Sequence, residues 1–353
     1  MSKIRIGIIG TGNISNNHLR AYKSNPDVEI YALCDINKEL LEKVGREYGI
    51  TRLYTDKDEM LKLAELDAVS VCTWNSAHAE CVLAALNAGK HVLCEKPMSI
   101  TVEEARIMKE TADKNGKLLM IGFVRRFGND MNILKDFINN GTLGEIYYAK
   151  ATYLRRNGNP GGWFGDKSRS GGGPLIDLGV HIIDFVRYAL GNPKPISVYG
   201  ATYQKLLDRR NIKSKKSYVS AGASDNDVCD VEDLACAMIR FDNGATLSIE
   251  TSFSLNKKND EGKIELFGTK GGVCINPDLE IYTEMNDYLV DVNLRAPTSM
   301  GSMEDIFAKE IGHFVECVKG NCECKNPAQD GIELMKILNA IYESARSGHE
   351  VIL

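Results

Sequence analysis

Apolar runs and amphipathic stretches alternate along the first third of the chain. Five short runs rich in Val, Ile and Leu predict strands buried on both faces, as in a parallel sheet covered by helices: Lys3–Ile9, Val28–Cys34, Ala68–Thr73, His91–Cys94 and Leu118–Gly122. Between them, three stretches predict helices that end before or at a glycine: Asn37–Tyr48, Ser76–Ala88 and Val102–Asn115. This repetition of strand and helix predicts a doubly wound α/β domain over residues 1–122.

The pattern changes after residue 145, where longer strands predominate. We predict strands at Ile146–Leu154, Ser197–Tyr203, Leu234–Phe241, Ala245–Phe253 and Lys263–Gly268. One helix, Leu175–Leu190, interrupts them, and an Asp-Asn-Gly turn at residues 242–244 joins the third strand to the fourth. Two further helices, Phe307–Lys319 and Gln329–Ser347, complete the chain. Residues 123–353 are therefore expected to form an α+β domain with a large, mostly antiparallel open sheet, whose C-terminal helices can pack back on the first domain.

Composition and charge narrow the class of protein. The chain has 353 residues, of which 43% are hydrophobic and 26% charged, so it has enough apolar material for two domains and is not largely disordered. No apolar run approaches the roughly 18 residues that a membrane span needs. A net charge of −5 gives no reason to expect nucleic acid or an anionic membrane as a partner. The one basic run, residues 209–216, is expected to be a solvated loop.

The cysteines and the N-terminus bear on location and on metals. The first residues lack a cleavable small-residue site and soon turn polar, so no secretion signal is expected. Ten cysteines without such a signal predict free thiols in a reducing cytoplasm. None is spaced Cys-x-x-Cys, and the one close pair, Cys322 and Cys324, has no histidine beside it, so no metal site is expected.

The first candidate site is a glycine-rich turn after the first strand. Residues 10–15 match Gly-x-Gly-x-x-Gly, with Ser15 in the place of the third glycine. Gly10 allows the tight turn, and Gly12 lets a pyrophosphate approach the backbone at the start of the next helix. Asp35 ends the second strand, where a carboxylate accepts hydrogen bonds from a ribose 2′-hydroxyl and repels a 2′-phosphate. We therefore predict that Gly10, Thr11, Gly12, Asn13, Ile14 and Asp35 bind NAD, with NADP less favoured, although Lys38 leaves that preference open.

The second candidate is Cys94-Glu95-Lys96-Pro97, at the end of the fifth strand. Ligands of open α/β sheets bind beyond the carboxyl ends of the strands, so Lys96 is placed to face a nicotinamide and its reaction partner. Taken alone, the tetrapeptide is equally consistent with a surface lysine before a proline turn.

The third candidate lies on the predicted helix 175–190. Asp177, His181 and Asp184 are spaced i, i+4 and i+7, so they share one helix face. Carboxylates one turn away on either side orient a histidine and make it more basic, as a general base for an alcohol proton requires. The alternative is a charged face exposed to solvent.

Together these three motifs resemble the glucose–fructose oxidoreductase / inositol dehydrogenase / MocA (Gfo/Idh/MocA) family. The likeness covers nearly the whole chain, and it includes residues 122–127, the segment from Trp163-Phe164 to Gly171-Gly172-Gly173, and Val231-Glu232-Asp233. The resemblance implies an NAD(P)-carrying Rossmann domain and a second domain that binds substrate and whose exposed sheet face forms a homodimer or homotetramer interface. It also implies hydride transfer between the nicotinamide and a secondary alcohol or ketone of a sugar, cyclitol or sugar derivative.

The resemblance further implies roles for individual residues. His181 would accept the alcohol proton, Lys96 would hydrogen-bond the reacting oxygen, and Asp177 would hold substrate hydroxyls. Asp184 and Arg126 are further implied substrate contacts, and Arg155 and Trp163 are candidates for a sugar-binding wall. Trp163 is equally consistent with an interface aromatic.

On the cofactor side, the resemblance implies Thr73, Trp74, Asn75, His78 and Glu95. Trp74 stands where the family often has proline, and it either stacks on a sugar or cofactor ring or fills a gap. A capping role is an equal alternative for His78.

Three functions are consistent with these features. The first is a cytoplasmic NAD-dependent dehydrogenase acting on a cyclitol, sugar or glycoside. The second is a redox-neutral enzyme that uses tightly held NAD to cleave glycosides, which the sequence does not separate from the first. The third is a non-catalytic NAD(P)-sensing regulator. Such a protein would be expected to have lost Lys96 or His181, whereas this chain has both.

Overall fold

The computed structural model describes residues 3–206, 209, 212–213, 218–220 and 222–353. Five residues of the basic run (210, 211 and 214–216) lie outside the described residues, and with them most of the predicted solvated loop. The chain divides into two units, one formed by Met1–Val124 with Ser302–Met335 and the other by Arg125–Gly301 with Lys336–Leu353.

The first unit begins with alternating strands and helices. The strands are β1 (Ile4–Ile9), β2 (Val28–Cys34), β3 (Leu53–Tyr54), β4 (Ala68–Val71), β5 (His91–Cys94) and β6 (Leu119–Ile121). The helices are α1 (Ser15–Ser24), α2 (Lys38–Tyr48), α3 (Lys57–Leu61), α4 (His78–Asn87) and α5 (Val102–Asn115), with a 3₁₀ turn, Asn75–Ala77, before α4. The five predicted strands and three predicted helices are confirmed, whereas the short β3 and α3 were not predicted.

The sheet of the first unit is parallel throughout, in the order β3-β2-β1-β4-β5-β6. Its central strands are buried on both faces, with Ile6, Ile8, Val69 and Val92 fully inaccessible to solvent, which explains why their sequences show no polar alternation. The strand order reverses between β1 and β4. The loops that follow these two strands therefore meet at the crevice where open α/β sheets bind their ligands.

The second unit contains most of the antiparallel structure. Its strands are β7 (Ile146–Leu154), β8 (Pro195–Tyr203), β9 (Leu234–Phe241), β10 (Thr246–Ser252), β11 (Glu261–Gly268), β12 (Gly271–Ile275), β13 (Leu279–Met285), β14 (Tyr288–Val292) and β15 (Val351–Ile352). Its helical segments are α6 (Asn129–Asn139), the 3₁₀ turn Gly162–Gly165, α7 (Lys167–Ser170), the π-helical turn Leu175–Gly179 and α8 (Val180–Ala189). A further 3₁₀ turn spans Val124–Phe127.

These strands form one nine-stranded sheet in the order β14-β13-β12-β11-β7-β10-β9-β8-β15. All neighbours are antiparallel except β7 and β10, so the predicted mostly antiparallel open sheet is confirmed. One face packs against α8 and the π turn before it, burying Ala149, Leu247 and Ile249. The predicted continuous helix over 175–190 was wrong in its first turn, which is π-helical, and α6 and β12–β15 were not predicted.

Two helices lie between β14 and β15 along the chain, α9 (Met303–Val318) and α10 (Ala328–Ser347). Within the first unit, α9 packs against α1. Across the described ranges, every helix is too short or too polar to cross a membrane.

Candidate active site

The glycine turn after β1 is shaped by two different spatial requirements. Gly10 has φ +92°, and a Cβ added there would lie 2.7 Å from the backbone carbonyl of Cys72 at the end of β4, so only glycine fits. A Cβ on Gly12 would meet no described atom within 4 Å. Ser15 donates a hydrogen bond from its hydroxyl to the Gly12 carbonyl (2.7 Å) and is fully buried at the first residue of α1. The turn therefore keeps open space beside Gly12, where a pyrophosphate would approach the backbone.

Asp35 holds the other side of this turn. Its Oδ2 accepts hydrogen bonds from the Thr11 N–H (2.6 Å) and the Thr11 hydroxyl (2.9 Å), and its Oδ1 accepts from the Asn37 N–H (2.8 Å). A carboxylate offers about four acceptor positions, so one acceptor remains for a ribose hydroxyl. Lys38 points along α2, with its ammonium 4.0 Å from the Glu42 carboxylate. Asn13 is exposed and Ile14 half-buried at the start of α1. The open space at Gly12 and the carboxylate of Asp35 together fit a dinucleotide.

His78 links the loops that follow β4 and β5. Its Nδ1 lies 2.7 Å from the Pro97 carbonyl oxygen and its Nε2 3.2 Å from the Thr73 carbonyl oxygen, and the ring is buried. Burial lowers the pKa of His78, and the two carbonyls oppose that shift. Trp74 and Lys96 lie half-buried in these two loops, and Asn75 is buried. The predicted cofactor-side histidine therefore positions both loops through their backbones.

Glu95 belongs to a buried polar cluster that the sequence analysis missed. Its Oε1 lies 2.8 Å from His18 Nε2, and its Oε2 accepts a hydrogen bond from the Lys96 N–H (3.2 Å). The other His18 nitrogen lies 3.2 Å from the hydroxyl of Ser70, which is also bonded to the Tyr22 hydroxyl. The only available signal was a histidine on the inward face of α1, and that face could not be identified before the helix was placed.

The charges in this cluster reinforce each other. Burial lowers the pKa of His18, but the neighbouring Cys72 and Glu95 outweigh it and raise that pKa to about 10. Burial acts to raise the pKa of Glu95, but the hydrogen bond and charge of His18 and the charge of Lys96 hold it below its usual value. At neutral pH this is a buried His18–Glu95 ion pair directly behind the backbone of Lys96.

In the second unit, Asp177 lies in the π turn and His181 in the first turn of α8. The Asp177 N–H donates a hydrogen bond to the Gly173 carbonyl oxygen (3.0 Å), and both Asp177 and His181 are half-buried. Single π turns within α-helices are rare and occur frequently at functional sites. The predicted i, i+4 pair therefore lies where the helix changes its winding.

The triple glycine before this turn is explained by Glu232 and Tyr342. A Cβ on Gly172 would overlap the Tyr342 hydroxyl, and one on Gly173 would overlap the Glu232 carbonyl. The carboxylate of the half-buried Glu232 accepts hydrogen bonds from the Gly173 N–H (3.0 Å), the Leu175 N–H (3.2 Å) and the Tyr342 hydroxyl (2.9 Å). Burial raises the pKa of Glu232. Glu232, which the resemblance included without a role, therefore fixes the start of the segment that carries Asp177 and His181.

Arg126 and Asp184, both predicted to contact substrate, contact each other. Arg126 Nη2 donates to Asp184 Oδ1 (2.5 Å) and Arg126 Nε to Asp184 Oδ2 (3.0 Å), and each residue is about 1% exposed. A direct contact of either with substrate would require this pair to separate, so their assignment to substrate stays a prediction.

The two candidates for a sugar-binding wall lie in the segment after β7. Trp163 stacks on Phe164, with ring centroids 4.0 Å apart, and both are half-buried. Arg155 donates a hydrogen bond to the Gly158 carbonyl (3.1 Å) and lies over the ring of Tyr153. One face of the Trp163 indole is therefore occupied by Phe164, which leaves at most the other face for a sugar ring.

Comparisons with known proteins cover nearly the whole chain. Residues 4–123 match the family described as "Oxidoreductase family, NAD-binding Rossmann fold", and residues 131–274 match the GFO/IDH/MocA C-terminal domain. D-glucoside 3-dehydrogenase of Escherichia coli (strain K12) is 36% identical over 353 residues, covering 99% of this chain and 97% of the relative. Myo-inositol 2-dehydrogenase of Thermotoga maritima is 29% identical, covering 93% and 92%. The structure of levoglucosan dehydrogenase in complex with NADH and levoglucosan superposes with a TM-score of 0.85 at 25% identity, covering 99% of each chain. The chain therefore belongs to the Gfo/Idh/MocA family of NAD-binding oxidoreductases.

Proposed function

We propose that this oxidoreductase is an NAD-dependent dehydrogenase of a secondary hydroxyl on a glycoside, sugar or cyclitol. The observation that carries the proposal is the near full-length match to D-glucoside 3-dehydrogenase at 36% identity, on a chain that retains both Lys96 and His181. Two further relatives are named levoglucosan dehydrogenase and myo-inositol 2-dehydrogenase, so both are named for substrates that carry ring hydroxyls. Within this class, a glucoside hydroxyl is the first choice.

The proposed chemistry separates the two hydrogens of the alcohol. Bound NAD would supply the acceptor for the hydrogen on carbon, which leaves as a hydride, and the hydroxyl proton must leave as the carbonyl forms. His181 takes that proton when its imidazole is neutral, and the Lys96 ammonium donates a hydrogen bond to the oxygen as negative charge develops on it. The products would be a ketone, NADH, which carries the hydride, and a protonated His181, which carries the hydroxyl proton.

Each assignment is supported within its own unit. Lys96 follows β5 at the carboxyl edge of the parallel sheet, next to the ion pair of Glu95 and His18. His181 lies one turn from Asp177 in a segment whose start is fixed by Glu232. Asp177 holds substrate hydroxyls in this proposal, and Arg155 and the face of Trp163 opposite Phe164 contribute to the wall of the sugar site.

NAD is the proposed cofactor rather than NADP. Thr11 and Asn37 hold the Asp35 carboxylate in place, so it would lie beside a 2′-phosphate and repel it, because both groups are negatively charged. The contribution of Thr73, Trp74 and Asn75 on the nicotinamide side belongs to the same proposal.

To test the substrate, the protein, with its cysteines kept reduced, is mixed with NAD and a panel of 4-nitrophenyl glycosides, levoglucosan, inositols and free sugars. NADH and nitrophenol are followed together, and a His181→Asn variant serves as the control. NADH formation with glucosides, lost in the variant, supports the proposal. Release of nitrophenol without net NADH would instead identify redox-neutral glycoside cleavage. Binding of NADH with no turnover of any substrate would identify a regulator.

The assembly is proposed to be a homodimer or homotetramer formed through the outer face of the nine-stranded sheet. Tyr199 on β8 pairs with Met238 on β9, and these side chains are 55% and 50% exposed. The same face carries Tyr148 stacked on Phe267, with centroids 5.7 Å apart. Contiguous apolar side chains on the surface mark interaction sites. Light scattering on the native protein and on a Met238→Glu variant tests this, with a shift toward monomer expected.

The proposed location is the cytoplasm. All ten cysteines are free thiols in the structure, which suits a reducing compartment. Fractionation of cells expressing the native chain tests this.

A further inference from the structure

The turn between α9 and α10 brings together four side chains that ligate soft metals. His313 and Cys317 are spaced i, i+4 on α9, so they project from the same helix face. The helix ends at Val318, and Gly320, with φ +75°, reverses the chain so that the cysteines beyond it return to that face. The sequence prediction of no metal site considered Cys322 and Cys324 alone and missed this convergence.

The distances between the ligand atoms are short. Cys317 Sγ lies 3.4 Å from His313 Nε2 and 3.5 Å from Cys322 Sγ, and Cys322 Sγ lies 3.6 Å from His313 Nδ1. The ligand atoms of His313, Cys317 and Cys324 all lie within 4.8 Å of one another. With zinc–sulfur bonds of about 2.3 Å and zinc–nitrogen bonds of about 2.0 Å, neighbouring ligands of a tetrahedral zinc are roughly 3.4 to 3.8 Å apart. The contacts of Cys317 therefore have the spacing of such a site, and His313, Cys317 and Cys324 lie close enough together to share one ion. Cys322 lies beside the other ring nitrogen of His313, so it must shift to complete the ligand set.

The protonation of His313 is fixed by its backbone neighbour. The Lys325 N–H donates a hydrogen bond to His313 Nε2 (2.9 Å), so that nitrogen carries a lone pair, as a metal ligand must. Coordination through Nε2 would replace this hydrogen bond with a bond to the metal, so the Lys325 N–H would have to move away from the ring.

We propose that His313, Cys317, Cys322 and Cys324 bind one thiophilic divalent cation, with Zn²⁺ as the metal. His313, Cys317 and Cys324 supply three ligands, and Cys322, the most exposed of the four, supplies the last. Thiolate and imidazole ligands select zinc over magnesium or calcium, which require oxygen ligands. Four protein ligands leave no open position, so the site is structural and not catalytic. Each cysteine loses its proton on binding, and the metal fastens the turn that joins α9 to α10.

A disulfide between Cys317 and Cys322 is the competing arrangement. It would require the two sulfurs to move from 3.5 Å to about 2.0 Å. It would also leave Cys324 and His313 beside it without a function. The convergence of all four groups favours the cation.

The test measures metal on the whole reduced protein, purified without chelators. Elemental analysis is expected to find about one zinc per chain in the native protein and in Cys274→Ser, a control cysteine on β12. Cys317→Ser and Cys324→Ser are expected to lose zinc affinity by more than about 100-fold, which exceeds the usual cost of losing a supporting partner of a ligand. Cobalt added to the apo protein should produce sulfur-to-cobalt charge-transfer absorption, which these two variants lack.

Several results would overturn the proposal. These are zinc at background level with no cobalt–thiolate absorption, equal zinc content in native protein and Cys324→Ser, or a Cys317–Cys322 disulfide in the unreduced peptide map. If the cysteine variants fail to fold, the cobalt titration of the native apo protein decides. Zinc removal should also lower the melting temperature of the native protein and leave that of His313→Asn unchanged.

Discussion

The guanidinium of Arg126 and the carboxylate of Asp184 form a two-point ion pair in which both side chains are buried. Arg126 also lies over the ring of Tyr188, 4.6 Å from its centroid. Asp184 lies one turn after His181 on α8, so the pair fixes the helix that carries the proposed base. In the proposed mechanism, Asp184 would therefore act as a positioning residue for His181.

Replacing Asp184 with Asn is expected to lower the free energy of unfolding by about 3–5 kcal/mol, because the buried Arg126 charge loses its partner. The measurement is urea unfolding of the native protein and the variant. Glu59→Gln, which removes the exposed Glu59–Lys62 pair, should cost less than about 1 kcal/mol. Unchanged stability of Asp184→Asn together with a raised KM would show that Asp184 serves the substrate and not the helix.

The two glycines of the first turn should respond differently to alanine. Gly10→Ala places a Cβ 2.7 Å from the Cys72 carbonyl at positive φ, so it should lower the unfolding free energy by roughly 1–3 kcal/mol or more. Gly12→Ala points into open space, so it should leave stability within about 1 kcal/mol, the penalty of an ordinary surface change. NADH binding to Gly12→Ala should still weaken at least about tenfold, because the methyl occupies the place of the pyrophosphate. Thermal unfolding and NADH fluorescence titration measure both effects, and full NADH affinity in Gly12→Ala would place the pyrophosphate elsewhere.

His181→Asn should lower kcat by about 10²- to 10⁴-fold while NADH binding stays within about threefold, since only proton transfer is lost. The pH profile of kcat/KM should also lose the limb that reports the ionisation of His181 in the free enzyme. His349→Asn replaces an exposed histidine of the same unit and should leave kcat unchanged. Turnover of His181→Asn within about threefold of the native protein would remove His181 from the role of base.

The elements that follow directly from the sequence are those in which one physical effect dominates. The strands β2 and β5 have the predicted bounds because each is an apolar run that is mostly buried. The helix α5 has the predicted bounds because Gly116 ends it. By contrast, β14 is exposed along most of its length, and its apolar residues give no inside-to-outside alternation. The π turn at Leu175–Gly179 was not predictable because its position depends on Glu232, which lies far along the chain.

The candidate site divides in the same way. Gly10, Asp35 and Lys96 follow strand ends, and the sequence places strand ends well. The partners of His18 are set by which strands the fold brings against α1, since Ser70 and Glu95 lie 52 and 77 positions away, and Arg126 and Asp184 are separated by 58 positions. No local pattern predicts such pairings, because they depend on the tertiary arrangement.

The buried His18–Glu95 pair should make stability depend on pH in the alkaline range. The pKa of His18 is about 10 in the folded protein and about 6.5 in the unfolded chain. The stabilisation from His18 is therefore fully present below about pH 6.5 and is lost as the pH rises through 10. The pKa of Glu95 is lowered, so its contribution is present above the unfolded pKa of about 4.3 and is lost as the pH falls.

A His18→Gln variant isolates this effect, because glutamine keeps hydrogen-bonding capacity and cannot take up the proton. The difference in unfolding free energy between the native protein and the variant should shrink by a few kcal/mol between pH 7 and 10, at about 1.4 kcal/mol for each unit of pKa difference. Tyrosines, lysines and the cysteines that do not contact His18 titrate in both proteins, so they cancel in the difference. Cys72, which helps to raise the pKa of His18, belongs to the effect that is measured. Urea unfolding at pH 6, 7, 8, 9 and 10 measures it. A difference that stays constant across this range would show that His18 is neutral in the folded protein and holds Glu95 by a hydrogen bond alone.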